Sequence, residues 1–281
     1  MSKIRRKPWV FELRDLWPES IKTVGAMKQG VILSILEKIE LALYHDATRV
    51  VAVTDAFKKN LVSRGIPEEK IDVITNGSNL RLFAHRNPDE NLLRQLKLEN
   101  KFVVGYIGTH GMAHSLDFVV RSLASIEDPT IHFLFIGDGA MKKIITKIAE
   151  DLRLSCITFL PPVSKEEVPL YLSLCHVSLA PLKKEENFKT VIPSKIFEAA
   201  AMRKPTLLGV EGQAQEIIEM YHAGLCFEPE NKESFLDNLY ALKNDESLYQ
   251  HLQNGCDHLA KAYDRDRLAS QMLSILLNLK P

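Results

Sequence analysis

The chain of 281 residues carries 36 Lys and Arg against 36 Asp and Glu, so its formal charge is zero. That balance removes the general electrostatic footprint of a nucleic-acid binder, and 46% apolar with 26% charged residues is the composition of a globular protein. Four cysteines (Cys156, Cys175, Cys226, Cys256) stand far apart with no CxxC pair, which indicates reduced thiols and a cytoplasmic protein rather than a zinc knuckle or disulfide scaffold.

The opening residues lack an apolar core of signal-peptide length. Trp9-Val-Phe-Glu-Leu13 predicts a strand, and residues 20–45 a helix with apolar positions at 31, 32, 35, 36, 39, 42 and 43. Its apolar run is broken by Glu37, Lys38 and Glu40, short of the roughly 20 residues that span a bilayer. The same stripe suits a core helix, the favoured reading, or one resting on an anionic membrane through Lys22, Lys28 and Lys38. Arg49-Val-Val-Ala-Val53 is the next strand, followed by a helix from about Asp55 to Arg64 that stops at Gly65. A third strand, Ile71-Asp-Val-Ile74, runs into the turn-forming pair Asn76-Gly77.

Residues 84–101 are mostly polar and mark a boundary, giving a partial first domain at 1–95, a second at 96–263 and a terminal helix at 264–281. In the second part, strands at 102–107, 131–136, 156–160, 176–180, 205–209 and 224–227 alternate with helices near 115–125, 140–153, 165–174, 194–203, 212–220 and 232–243. Two further helices, near 246–262 and 265–279, finish the chain. Apolar strands such as Phe133-Leu-Phe-Ile136 suit a parallel sheet buried on both faces, and the alternation predicts a doubly wound α/β fold. Three strands and about two helices bury little surface for a separate first domain.

Ligands of open α/β sheets bind beyond the carboxyl ends of the strands, so those turns hold the candidates. The first, Gly105-Tyr-Ile-Gly108-Thr-His110-Gly111-Met-Ala-His114-Ser115, reads as an anion-binding turn with Ser115 capping the next helix, or as a tight turn without a ligand. It lacks the GxGxxG spacing of dinucleotide sites. In Ile136-Gly137-Asp138-Gly139, Asp138 either binds a ligand hydroxyl or makes the turn. In Pro193-Ser194-Lys195-Ile-Phe-Glu198, a helix start and a lysine converge where a diphosphate could sit, with Glu198 one turn on for ribose hydroxyls. An exposed Lys195–Glu198 pair is the alternative, and the Ala-rich surroundings favour the site. In Arg14-Asp15-Leu-Trp17, Asp15 faces a cleft or pairs with Arg14. No histidine pair has metal-ligand spacing.

Together these segments resemble family-4 retaining glycosyltransferases of GT-B architecture, two Rossmann-like domains with parallel sheets. The matching pieces are Arg14–Ser20, Val53–Phe57, Val73–Gly77, Tyr106–Gly111, Ile136–Gly139 and Pro193–Glu198. The likeness is greatest to the branch that builds bacterial surface polysaccharides from UDP-linked N-acetylated or deoxyamino sugars, such as the fucosamine transferases of O-antigen synthesis. It implies that Glu198 holds the donor ribose, that Lys195, Ser194, Pro193, His114 and the Gly108–Gly111 loop meet the diphosphate, and that Pro162 and Val163 flank the uracil, with Asp138 and Gly139 close by. Asp15, His110 and Glu198 are the implied catalytic group, and no metal or other cofactor is expected. Many members carry a second glutamate where this chain has Thr190, and His114 replaces a common lysine.

The resemblance also implies that the first domain is incomplete, with several βα units of the acceptor half absent, an exposed sheet edge, and an uncovered apolar face around Val10, Val51 and Val73. The C-terminal helix is expected to pack back toward that domain. The leading reading is a hexosyltransferase-type enzyme that passes a sugar from a UDP-sugar to a lipid-linked or glycan acceptor, in the cytoplasm or at the inner face of its membrane. A second is a nucleotide-sugar-binding subunit that needs a companion chain. A third is a sugar-nucleotide epimerase using Asp15, Asp138 and His110.

Overall fold

The computed structural model describes residues 7–14, 16 and 30–279. The chain divides into two units. One contains residues up to Asn76 with Thr190–Ile192 and the stretch from Arg265, the other Gly77–Lys189 with Pro193–Asp264. The polar segment 84–101 thus falls within the second unit rather than between the two.

The first unit holds a three-stranded parallel sheet in the order β1 (Val10–Leu13), β2 (Arg49–Ala52), β3 (Ile71–Val73). Helix α1 (Val31–Asp46) links β1 to β2, and α2 (Asp55–Ser63) links β2 to β3. The Thr54 hydroxyl starts α2 by accepting the Phe57 N–H at 3.0 Å, and the chain leaves it through Gly65 at φ +90°. Leu13, Tyr44, Val50, Phe57, Leu61 and Ile66 form its core. Beneath α1 the carboxylate of Glu40 is buried, paired with Arg64 at 2.6 Å and accepting the Tyr44 hydroxyl. The expectation of a bare apolar face fails at Val51, which is 1% exposed. Val10 and Val73, on the flanking strands, are half-buried. Among the described residues β1 has a strand partner on one side only. Helix α1 turns Leu33 and Tyr44 inward but leaves Ile35 and Ile39 exposed, so its apolar stripe is wider than the core it serves.

The second unit is a six-stranded, all-parallel sheet. Its strands are β4 (Phe102–Ile107), β5 (Ile131–Ile136), β6 (Ile157–Leu160), β7 (Val177–Pro181), β8 (Thr206–Gly209) and β9 (Gly224–Cys226), and their spatial order is β6-β5-β4-β7-β8-β9. The order reverses direction between β4 and β7, which is where a doubly wound sheet opens a crevice. All six residues of β5 are buried. The connecting helices are α4 (Leu116–Ser122), α5 (Lys142–Asp151), α6 (Val168–Ser173), α7 (Lys195–Ala201), α8 (Gln213–Tyr221), α9 (Lys232–Asn244) and α10 (Glu246–Ala262). Between them and the sheet lies a core rich in aromatic side chains, including Tyr106, Phe133, Phe135 and Phe235. A short helix, α3 (Glu90–Gln95), precedes β4 and is capped by Asp89, which accepts from Leu92 N–H. The last helix, Arg265–Leu277, belongs to the first unit. Among the described residues no helix is long and apolar enough to cross a membrane, and the four cysteines are free thiols.

Candidate functional site

The turns after β4 and β5 are laced together. Gly108 N–H donates to Ile136 O, His110 N–H to Asp138 O and Met141 N–H to His110 O, each at 2.8 Å. A Cβ at Gly137, where φ is +144°, would lie 1.9 Å from the Gly108 carbonyl oxygen. Glycine is therefore required there so that one backbone can touch the other. Lys142 secures the next strand end, donating to the carbonyls of Gly137 (3.1 Å) and Leu160 (2.9 Å).

Beyond these strand ends lies a cleft of about 450 Å³. Of the residues anticipated from sequence, Gly108, Asp138, Pro162, Val163, Ser194, Lys195 and Glu198 line it. His110, Gly111, His114, Gly139 and Pro193 do not. Asp15 lies outside the described residues. Thr109, within the Gly108–Gly111 loop expected from sequence, also lines the cleft, as does Lys165, which had no sequence signal of its own although it stands two residues past Val163.

Lys195 opens α7 and is half-buried. Its ammonium lies 4.9 Å from the centroid of the Tyr106 ring and against Gly108, where an added Cβ would come within 2.6 Å of Nζ. The ring face favours the cation. Burial lowers its pKa, partly offset by the charge of Glu198. Among the described residues no carboxylate lies within ion-pair distance of the Lys195 ammonium, so the charge of Glu198 acts on it only from beyond direct contact. Glu198 does not pair with it. The Glu198 carboxylate, 13% exposed, pairs instead with Lys165, whose ammonium also lies 4.9 Å from the Phe83 ring.

Ser194 occupies the N-cap position of α7, but its hydroxyl makes no capping bond. Asp138 makes the turn, its carboxylate accepting from Gly139 N–H at 2.7 Å, and the residue also lines the cleft. His110 is wholly buried, its ring 5.6 Å from Tyr106 and 6.1 Å from Phe135. Neither of its ring nitrogens has a hydrogen-bond partner among the described residues. Burial, then the charge of Lys142, lowers its pKa to about 4, so the ring is neutral near pH 7. The ring of His114 sits 6.1 Å from Tyr106, and its pKa is lowered by burial and then by Lys195. The expectation that Ser115 caps α4 is corrected: Ser115 has φ +45°, forms no capping bond, and donates its hydroxyl to Glu230 at 2.8 Å. Among the described residues no three His, Cys, Asp or Glu side chains are grouped to hold a metal ion.

Residues 88–256, more than half of the chain, match the family described as Glycosyl transferases group 1. The chain belongs to that family. Residues 2–82 match a second description, Glycosyltransferase Family 4. Over 247 residues this family member is 23% identical to WcaI of Escherichia coli K12, named as a colanic acid biosynthesis glycosyl transferase, and the match covers 84% of the chain and 60% of WcaI. Over 211 residues it is 23% identical to WbjE of Pseudomonas aeruginosa, named as a glycosyltransferase, covering 74% of the chain and 52% of WbjE. The chain thus spans little more than half the length of these relatives. Among solved structures, Anabaena HepE in complex with UDP and glucose superposes with a TM-score of 0.82 at 20% identity, covering 99% of this chain and 73% of HepE. The fold is accordingly the GT-B fold, with parallel-sheet, Rossmann-like domains.

Proposed function

We propose that the chain carries the donor site of a retaining glycosyltransferase that moves a sugar from a UDP-sugar to a lipid-linked or glycan acceptor in lipopolysaccharide or exopolysaccharide biosynthesis. The observation that carries this reading is Lys195, a half-buried cation in a switch-point cleft that makes no ion pair among the described residues. A diphosphate supplies an ion-pair partner, and in a desolvated site that interaction is stronger than it would be in water. Ser194, whose hydroxyl makes no capping bond, and the backbone at Gly108 complete the phosphate side. Glu198 takes the ribose hydroxyls, and Pro162 with Val163 forms the apolar wall for the uracil. Stabilising the departing diphosphate then accelerates transfer, and Lys195 supplies the charge that a metal ion supplies in other transferases. His110 supports the phosphate loop from behind, and Asp15 remains the candidate on the acceptor side.

The name of WcaI supports a polysaccharide assignment, that of WbjE a glycosyltransferase, and the UDP complex of HepE a UDP-linked donor. Within it we place the donor among N-acetylated or deoxyamino hexoses and the enzyme in the cytoplasm, against the inner face of the membrane when the acceptor is lipid-linked. One observation favours a second reading, a subunit that binds the donor but needs a companion chain: among the described residues β1 has a strand partner on one side only. The epimerase reading draws no support from the cleft, because of its two nominated acid–base residues that are described, His110 and Asp138, only Asp138 lines it, and its carboxylate is already engaged by Gly139.

Calorimetric titration of the chain with UDP and uridine tests the site. Lys195→Met is expected to weaken UDP by about 30-fold or more, with uridine little affected. Glu198→Ala is expected to weaken both ligands, by about tenfold. Saturable UDP binding without transfer to any acceptor selects the companion-chain reading. No UDP binding by the folded wild-type chain overturns the donor site.

A further inference from the structure

Two non-glycine residues close to the cleft adopt left-handed backbone, Ser115 at φ +45° and Glu230 at φ +60°. Such conformations cost free energy and persist where the surroundings dictate them. Here the two are joined. One carboxylate oxygen of Glu230 accepts the Ser115 hydroxyl at 2.8 Å, and the other accepts the backbone N–H of Lys184 at 3.1 Å. A backbone bond from Lys183 N–H to Ala113 O, at 2.9 Å, runs alongside. The connection after β9 is itself braced, since Glu228 pairs with the Lys184 ammonium at 2.5 Å and Asn231 donates to Glu228 at 2.8 Å. One side chain thereby fastens three strand-end connections, those after β4, β7 and β9. Ser115 terminates the loop whose other end, Gly108 and Thr109, lines the cleft, and it directly follows His114, which shares the Tyr106 ring with Lys195.

We propose that Glu230 is a positioning residue for the phosphate side of the cleft, holding the Gly108–Ser115 loop where it meets a diphosphate. The inference rests on the donor reading above. Glu230 is not among the residues lining the cleft and acts through Ser115. Its removal therefore misplaces the phosphate loop while leaving the walls that meet the base and ribose in place.

The test is titration of wild type, Glu230→Ala, Glu230→Gln and Ser115→Ala with UDP and, separately, with uridine. Glu230→Ala is expected to weaken UDP about tenfold without changing uridine affinity. Ser115→Ala should weaken UDP about threefold, because the Lys184 bond survives. Glu230→Gln, which keeps an acceptor oxygen, should recover part of the loss. A Glu230→Ala variant that weakens both ligands equally, or that binds UDP as the wild type does, overturns the proposal and leaves the donor site standing. A folded wild type that binds no UDP overturns both.

Discussion

The six-stranded sheet of the second unit and the three-stranded sheet of the first are both wholly parallel, but they are finished to different degrees. In the larger sheet four strands have partners on both sides, and every residue of β5 is buried. In the smaller sheet only β2 is flanked on both sides among the described residues, and α1 leaves Ile35 and Ile39 at 52% and 51% exposure. Parallel sheets depend on cover for both faces, so the larger one is the better scaffold for a preformed site. The difference teaches where rigidity has been placed: the cleft is built on the sheet whose strand ends are cross-tied by Gly108, Gly137, His110 and Lys142. The described residues that line the cleft all belong to the second unit.

The strongest way to break the contrast is Gly137→Ala. Its Cβ would collide with backbone rather than with a yielding side chain, so the strand ends must part. A loss of about 3 kcal/mol or more is expected, read as a lower urea midpoint of the second unit with UDP binding lost alongside. An intact midpoint would show that the two turns are not in contact.

An intermediate effect is expected from pH. The buried ring of His110 has a folded pKa of about 4 against an ordinary value of 6.5, so the unfolded chain binds the proton more readily. Its contribution to stability is present in full above about pH 6.5 and is lost as the pH falls toward 4. Lys142, His114 and Lys195 hold the ring neutral, opposed by Asp138. His110→Phe should flatten this slope without abolishing it, because His176 is also held at about 4. Denaturation midpoints at pH 4.5 and 7 check the prediction, and an unchanged slope would refute it. The smallest change is expected in the first unit, where Ile35→Ser with Ile39→Ser should alter stability by less than about 0.5 kcal/mol per site. A larger loss would mean that these side chains are covered in solution, which light scattering would reveal as self-association.

Much of this was legible in the residues, and what was not shares a cause. Strands β4 and β5 were predicted at their observed limits because buried parallel strands are unbroken apolar runs that end in glycine turns. The helix Glu90–Gln95 was missed because it buries no side chain and carries no periodic stripe. The cleft residues Lys195 and Glu198 were found from one contiguous segment. Their electrostatics were not, since the partner of Glu198 is Lys165, 33 residues away. Ser115 has the chemistry of an N-cap, yet its hydroxyl goes to Glu230, 115 residues distant. Local chemistry can be read along the chain, whereas these pairings exist only once the sheet has assembled.

The setting of Lys195 also bears on its chemical reactivity. An amine that gives up its proton more readily than surface lysines spends more of its time as a free nucleophile. Because it opens onto the cleft, it should be among the first lysines acylated by a small amine-directed reagent. A bound diphosphate would shield it, so the rate of that labelling would report occupancy of the cleft without any acceptor or turnover.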